Sequence, residues 1–131
     1  MKLLLDTHIW IWSLTRPKLL SAPVRKQIES PRNEIFLSPV SIWEAGHLER
    51  RGRLKVKPSL PVWIEEMFSR APVQEAPLNF AVASRACALV LPQSDAGDVF
   101  LAATALVFGL TLVTADGQLI ECPWLKTLAN V

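Results

Sequence analysis

Cysteine is scarce in this sequence. Cys87 and Cys122 are the only two, they form no C-x-x-C pair, and no ligand-like histidine pattern accompanies them. That excludes a disulfide scaffold and a structural zinc site, and fits reduced thiols in a cytoplasmic protein. Charge of one sign is also lacking: 14 Lys and Arg against 12 Asp and Glu leave a formal net charge of +2. A chain so balanced is not coated in basic residues, and any grip on nucleic acid has to come from a local cluster. Long hydrophobic runs are missing too. The longest uncharged stretch, Val99 to Ala115, is short for a membrane span and contains Gly109 and three threonines. It reads instead as a buried helix, a glycine stop and a buried strand. At the start, MKLLLDTHIWIW, Asp6 and His8 interrupt the apolar run too early for the core of a signal peptide. No membrane segment and no export are expected. No internal repeat, low-complexity segment, G-x-G-x-x-G, Walker-type loop or nucleophile elbow is present.

The residues that are present make an ordinary core. Half of the 131 residues are apolar and a fifth are charged, and the length suits one domain, 1–131. Lys2 to Leu5 reads as a buried strand, followed by apolar residues at helical spacing from Thr7 to Leu14. Ser21 can cap a short helix with Pro23 in its first turn. Glu34 to Leu37 is a second strand. Ser38 then caps a helix that has Pro39 at its first position, passes Trp43 and Leu48, and stops at Gly52. A further amphipathic helix is expected over Ser59 to Arg70, a short strand over Val73 to Glu75, and a helix over Phe80 to Leu89. Asp95 caps a helix from Ala96 to Phe108, stopped by Gly109. Leu110 to Thr114 is the cleanest buried strand, and Trp124 to Leu128 could add an edge strand. Strands alternate with helices throughout, which predicts an α/β domain whose parallel sheet is covered on both faces. Ligands of such folds bind beyond the carboxyl ends of the strands, where strand order reverses.

Four carboxylates fall at that edge. Asp6 follows the apolar LLL, and Asp116 follows TLVTA. Glu44 lies near the start of the helix after the second strand, and Asp98 near the start of the helix before the LTLVT strand. Each has a plain alternative: Asp95 and Asp98 as a capping pair, Glu44 as a solvated helix residue, Asp6 and Asp116 as turn residues. Together they pose an electrostatic problem. Two carboxylates about 4 Å apart repel by roughly 4 kcal/mol at an effective dielectric near 20. A hard divalent cation resolves it, because Mg²⁺ and Mn²⁺ prefer carboxylate and water oxygens. Metal-assisted hydrolysis of nucleic acid is the chemistry such a cluster suits.

The words around these acids are LLLDTHIWIW, SPVSIWEAGHLERRGRL, SDAGDVFLAATAL and LTLVTAD. Together, and in this order, they resemble the PIN-domain family and, within it, the VapC toxins of bacterial type II toxin–antitoxin pairs. The D-x-x-D helix with an Asp eighteen residues after Asp98 is the most specific of these signals. The resemblance implies a three-layer α/β/α PIN-like domain with a central parallel sheet. It implies a metal-dependent endoribonuclease in which Asp6, Glu44, Asp98 and Asp116 are both the catalytic and the Mg²⁺-binding residues, with Mn²⁺ able to substitute. Thr7 and Thr114 match positions that shape the site, and Asp95 an accessory acidic position. It also implies a homodimer, held inactive by a cognate antitoxin whose peptide fills an apolar groove. Two departures stand out. Similar proteins often read D-P-x-D-R where this chain has Asp95-Ala96-Gly97-Asp98-Val99, and Ile-Ala-Ile-Lys where it has Ala45-Gly46-His47-Leu48.

Arg50, Arg51, Arg53, Lys55 and Lys57 form the main basic cluster, expected to grip RNA phosphates; a solvated helix end is its plain alternative. Trp10 and Trp43 sit at apolar helix spacings and are expected in core or subunit packing, whereas Trp12 or Trp63 could line the antitoxin groove. His8 and His47 are assigned no catalytic part. Two rivals remain. A phospho-accepting receiver would want a Lys at a late strand end, which LTLVTAD does not offer. A catalytically silent PIN module that binds RNA or protein would have no need to keep four repelling charges together.

Overall fold

The computed structural model describes residues 1–92 and 94–131. Five parallel strands form one sheet in the order β3-β2-β1-β4-β5: β1 (Lys2–Leu5), β2 (Glu34–Leu37), β3 (Gln74–Glu75), β4 (Thr111–Thr114) and β5 (Thr127–Ala129). Leu3 pairs with Ile35 on one side and with Thr111 on the other, so β1 is the central strand. The chain winds outward from β1 through β2 to β3, then returns across the sheet to lay β4 against the other side of β1. Strand order therefore reverses between β1 and β4, and that is where a doubly wound sheet opens a crevice at its carboxyl edge.

The alternation of strand side chains divides the core in two. Leu3, Leu5 and Val113 face a cluster with Ile9 and Trp10 of α1 (Thr7–Thr15), Val24 of α2 (Ala22–Glu29), Ala45 of α3 (Pro39–Arg50) and Trp63 of α4 (Leu60–Arg70). Leu4 and Leu112 face the other way, against Leu101, Ala102 and Ala105 of α6 (Ala96–Phe108) and Leu119 of α7 (Gly117–Ile120). Leu3, Leu4 and Leu112 are wholly buried. Each such leucine contributes about 1.5–3 kcal/mol of burial, which is why continuous apolar runs rather than alternating ones make these strands. α5 (Phe80–Cys87) packs on the outer side of α6 through Val82, Ala86 and Ala103. The result is the three-layer α/β/α arrangement with a central parallel sheet.

Local signals set the boundaries. Ser38 Oγ accepts from the Val40 amide at 3.1 Å, with Pro39 in the first turn of α3. Asp95 Oδ1 accepts from the Asp98 amide at 2.9 Å and starts α6, while Gly109, at φ 65°, ends it in the left-handed region.

Two sequence expectations, the bounds of the last strand and the place of Trp63, are corrected, and a third is narrowed, because Trp43 lies outside the core. The last strand begins at Thr127, not Trp124: Leu125 is buried in the α6 side of the core, and its amide closes a turn onto Cys122 at 3.2 Å before pairing starts. Trp43 is 64% exposed and stacks on His47, one helical turn on, with ring centroids 5.4 Å apart. Ser41 and Ala45 carry the buried stripe of α3 instead. Trp63, a candidate for a groove wall, is buried edge-on against Trp10 at 6.0 Å. The 3-10 turn Pro17–Leu19 and helix α7 have no counterpart among the elements expected from sequence. No helix among the described residues is long and apolar enough to cross a membrane.

Candidate active site

Asp6, Glu44, Asp95, Asp98 and Asp116 line one cavity of about 360 Å³ at the carboxyl edge of the sheet, together with Thr7, His8, Trp12 and Ala115. Four elements deliver them. Asp6 ends β1 and caps α1, Asp116 lies two residues beyond β4 and caps α7, and Glu44 and Asp98 come from the first halves of α3 and α6. The crevice at the strand-order reversal is thus filled with acids.

Hydroxyl groups fix two of the carboxylates. Thr114 Oγ1 donates to Asp6 Oδ2 at 2.7 Å, and the Thr7 amide donates to Asp6 Oδ1 at 2.7 Å. Thr114 Oγ1 also accepts from the Asp116 amide at 3.0 Å, so one buried threonine joins β4 to both β-edge aspartates. Thr7 Oγ1 donates to Glu44 Oε1 at 2.5 Å and has the buried Ser41 Oγ 2.8 Å away as its other partner. Gly97 forms the opposite wall of the Glu44 carboxylate: a Cβ there would stand 2.5 Å from Oε2. Asp116 Oδ1 accepts from the amides of Gln118 and Leu119. Among the described residues no donor reaches the Asp98 carboxylate, and no buried side-chain oxygen or nitrogen lacks a partner.

The electrostatics follow from this wiring. Burial pushes the Asp6 carboxyl up, against the pull of its bonds from Thr114 and Thr7. Burial also raises Glu44, opposed by the Thr7 hydroxyl and reinforced by the nearby Asp95 and Asp6 charges. Asp98 is pushed up to about 7, first by loss of water and then by Asp95, Asp6, Asp116 and Glu44. Among the described residues the only ion pair is Glu66–Arg70, on the exposed face of α4. Among the described residues no Lys or Arg lines the pocket, and His8 is the one basic side chain on its wall, so the acids leave it with net negative potential.

The donor set is one of hard oxygens, the kind that suits a small divalent cation. The side chains line the cavity without closing on one point: among the described residues, no three His, Cys, Asp or Glu side chains form a ready-made ligand group. The wiring accounts for this, since Asp6 and Asp116 are turned to cap amides and Glu44 to Thr7, while like charges keep apart.

All four predicted acidic residues, and the site-shaping Thr7, Asp95 and Thr114, fall at this pocket. Ser41 was missed, although its place one turn before Glu44 on the buried stripe of α3 was a usable signal. Of the predicted RNA-binding residues, Arg53 and Lys55 line an adjoining cleft, which Arg50 and Arg51 do not.

A family model described as PIN domain matches residues 3–125. Ribonuclease VapC22 of Mycobacterium tuberculosis (strain ATCC 25618 / H37Rv) is 29% identical over 119 residues, 88% of each chain. DNA-bound VapBC from Salmonella typhimurium superposes with a TM-score of 0.71 at 16% identity, over 100% of this chain and 99% of that one. VapBC2 from Rickettsia felis, bound to a DNA fragment from its promoter, gives 0.69 at 16% identity over 98% of each. These likenesses extend along nearly the whole chain.

Proposed function

The chain belongs to the PIN-domain family, and from that premise we propose that it is a metal-dependent endoribonuclease, the toxin of a toxin–antitoxin pair. The observation that carries the reading is the convergence of Asp6, Glu44, Asp98 and Asp116, from four separate elements, on one pocket that, among the described residues, no Lys or Arg lines. The similarity to a VapC ribonuclease supports RNA as the substrate.

In this reading the four carboxylates hold Mg²⁺, with Mn²⁺ as a substitute; Asp6 and Asp98 are the principal ligands, and Glu44 and Asp116 complete the set directly or through water. When bound, the cation supplies Lewis-acid stabilisation to a phosphodiester and lowers the pKa of water. The protein does the rest. Thr114 and Thr7 hold the Asp6 carboxylate against rotation by bonding both its oxygens. The Thr7 hydroxyl and the Gly97 wall keep Glu44 over the pocket. Asp98, without such bonds among the described residues and raised in proton affinity, is the carboxylate with most to gain from a cation. Asp95 adds negative potential at the rim and starts the helix that presents Asp98.

The same potential suits a basic side chain of an antitoxin peptide, which would sit over the acids and block them. The VapBC complexes among the structural relatives support a cognate antitoxin as partner. A homodimer is supported by an apolar hollow beside the pocket, lined by Val40, Trp43, Leu78 and Phe100 and sharing Gly97 with the wall of Glu44, in which Trp43 and Leu78 are 64% and 42% exposed. The protein would act in the cytoplasm, with its two cysteines free as observed. The test is Asp6→Asn: RNA cleavage should vanish while the circular dichroism spectrum stays that of the folded protein. Cleavage that survives in the folded variant would remove Asp6 from the mechanism.

A further inference from the structure

Ser41 is wholly buried in the first turn of α3, and its Oγ lies 2.8 Å from Thr7 Oγ1 of α1. Among the described residues Thr7 is the only hydrogen-bond partner of that hydroxyl. Hydroxyl groups inside helices commonly donate to a carbonyl three or four residues back. In this chain Ser13 donates to the Trp10 carbonyl at 2.6 Å, Thr15 to that of Ile11 at 2.8 Å and Thr104 to that of Phe100 at 2.6 Å. Ser41 forgoes this local bond and reaches across to another helix. The helix itself has no need of a hydroxyl there: Ser38 already caps it, and the next residue of its buried stripe is Ala45.

Counting protons fixes the direction of this chain of bonds. A hydroxyl has one proton to give and two lone pairs to receive, whereas an ionised carboxylate only accepts. Glu44 Oε1 stands 2.5 Å from Thr7 Oγ1, so the single Thr7 proton is committed to Glu44. The 2.8 Å contact on the other side of Thr7 is then filled by the proton of Ser41. The bonds run one way, from Ser41 to Thr7 to Glu44, and each polarises the next in a dry setting. We infer that Ser41 is a positioning residue of the acidic pocket: by donating to Thr7 it locks the Thr7 hydroxyl onto Glu44 and holds that carboxylate ready for the cation. This role rests on the metal-dependent reading of the pocket and deepens it, placing a buried support behind the four acids. Gly97 completes the arrangement, because Glu44 Oε2 lies where a Cβ at that position would stand 2.5 Å away. Partners that orient a ligand from behind are typically worth about 10–100-fold in metal affinity.

The experiment is a titration of the RNA-free protein with Mn²⁺, the free ion read by electron paramagnetic resonance, with urea unfolding in chelator alongside. Ser41→Ala should weaken Mn²⁺ binding about tenfold or more. Ser41→Thr keeps the hydroxyl and should restore most of the affinity. Ser41→Cys keeps a side chain in the space but has only a weak donor, and should bind as poorly as Ser41→Ala. In a Thr7→Val background Ser41→Ala should cost no further affinity, because its effect passes through Thr7. If the added methyl of Ser41→Thr disturbs the fold, as urea unfolding would show, the Cys variant and the Thr7→Val background decide. Unchanged Mn²⁺ affinity in Ser41→Ala, even with lower stability, makes Ser41 a packing residue and overturns the role. So does wild-type affinity in Ser41→Cys, or the same loss from Ser41→Ala with and without the Thr7 hydroxyl. These outcomes leave the metal-dependent reading intact. Wild-type protein that takes up no Mn²⁺, or Glu44→Gln that takes it up unchanged, overturns the reading beneath it.

Discussion

Asp98→Asn should stabilise the metal-free protein, in the opposite direction to most substitutions at a buried site. In the fold the Asp98 carboxyl is pushed up to about 7 from an ordinary value of 3.8 by lost hydration and four neighbouring acids. Between those two values the folded state holds a proton that the unfolded chain has released, so stability falls as pH rises through this window and is level above it. The full displacement corresponds to about 4 kcal/mol, and solvent screening of a half-buried group reduces that to about 1–2 kcal/mol. Asparagine has the same shape and no charge to desolvate, so it recovers that amount at pH 8 and nearly nothing near pH 4. For a chain of this size the gain at pH 8 amounts to about 3–8 °C in Tm. Thermal unfolding of both proteins in chelator, at the two pH values, measures it. Mg²⁺ should then raise the wild type and not the variant, closing the gap, because the cation takes the place of the missing proton. A variant that melts at or below the wild type at pH 8 without metal would refute the electrostatic account of the pocket.

Other consequences are separately measurable. Thr114→Val removes the donor to Asp6 Oδ2 and the acceptor of the Asp116 amide without changing shape; urea unfolding should show a loss of about 1–3 kcal/mol, and cleavage should fall with it. Leu78→Ser, at a side chain 42% exposed in the apolar hollow beside the pocket, should leave stability nearly unchanged while sedimentation shows weaker self-association; unchanged association would take this face out of the dimer. Gly109→Ala places a side chain at φ 65°, and chemical denaturation should register a cost of about 1 kcal/mol.

Much of the fold was legible because buried parallel strands and capped helices leave local marks. Leu3, Leu4 and Leu5 had to be covered on both sides, and Ser38-Pro39 and Asp95 through Gly109 punctuate α3 and α6 as capping chemistry dictates. The four pocket acids stood out by their place after strands and near helix starts, and by the words around them. What escaped was non-local. Arg16 joins Arg53 and Lys55 in the adjoining cleft only because α1 ends beside the segment after α3, and no window of sequence contains that meeting. Trp43 fits a helical apolar spacing, yet the buried stripe of α3 is narrow and made of Ser41 and Ala45. Ser41 looks like an ordinary polar residue until Thr7 is seen to bridge it to Glu44. α7 is a single turn capped by Asp116, so the same carboxylate that marks the site also hides a helix start.

Cutting of RNA by this acidic pocket, with the help of a divalent cation, can be tested in one incubation. A labelled total-RNA pool is mixed with the purified, partner-free protein in Mg²⁺, in EDTA, and with Asp98→Asn alongside. Discrete fragments should form with the wild type in Mg²⁺, and none in EDTA or with the variant. Fragments that persist in EDTA or with Asp98→Asn, or a pool left intact by folded protein in Mg²⁺, would mean that the pocket is not the catalytic centre described above.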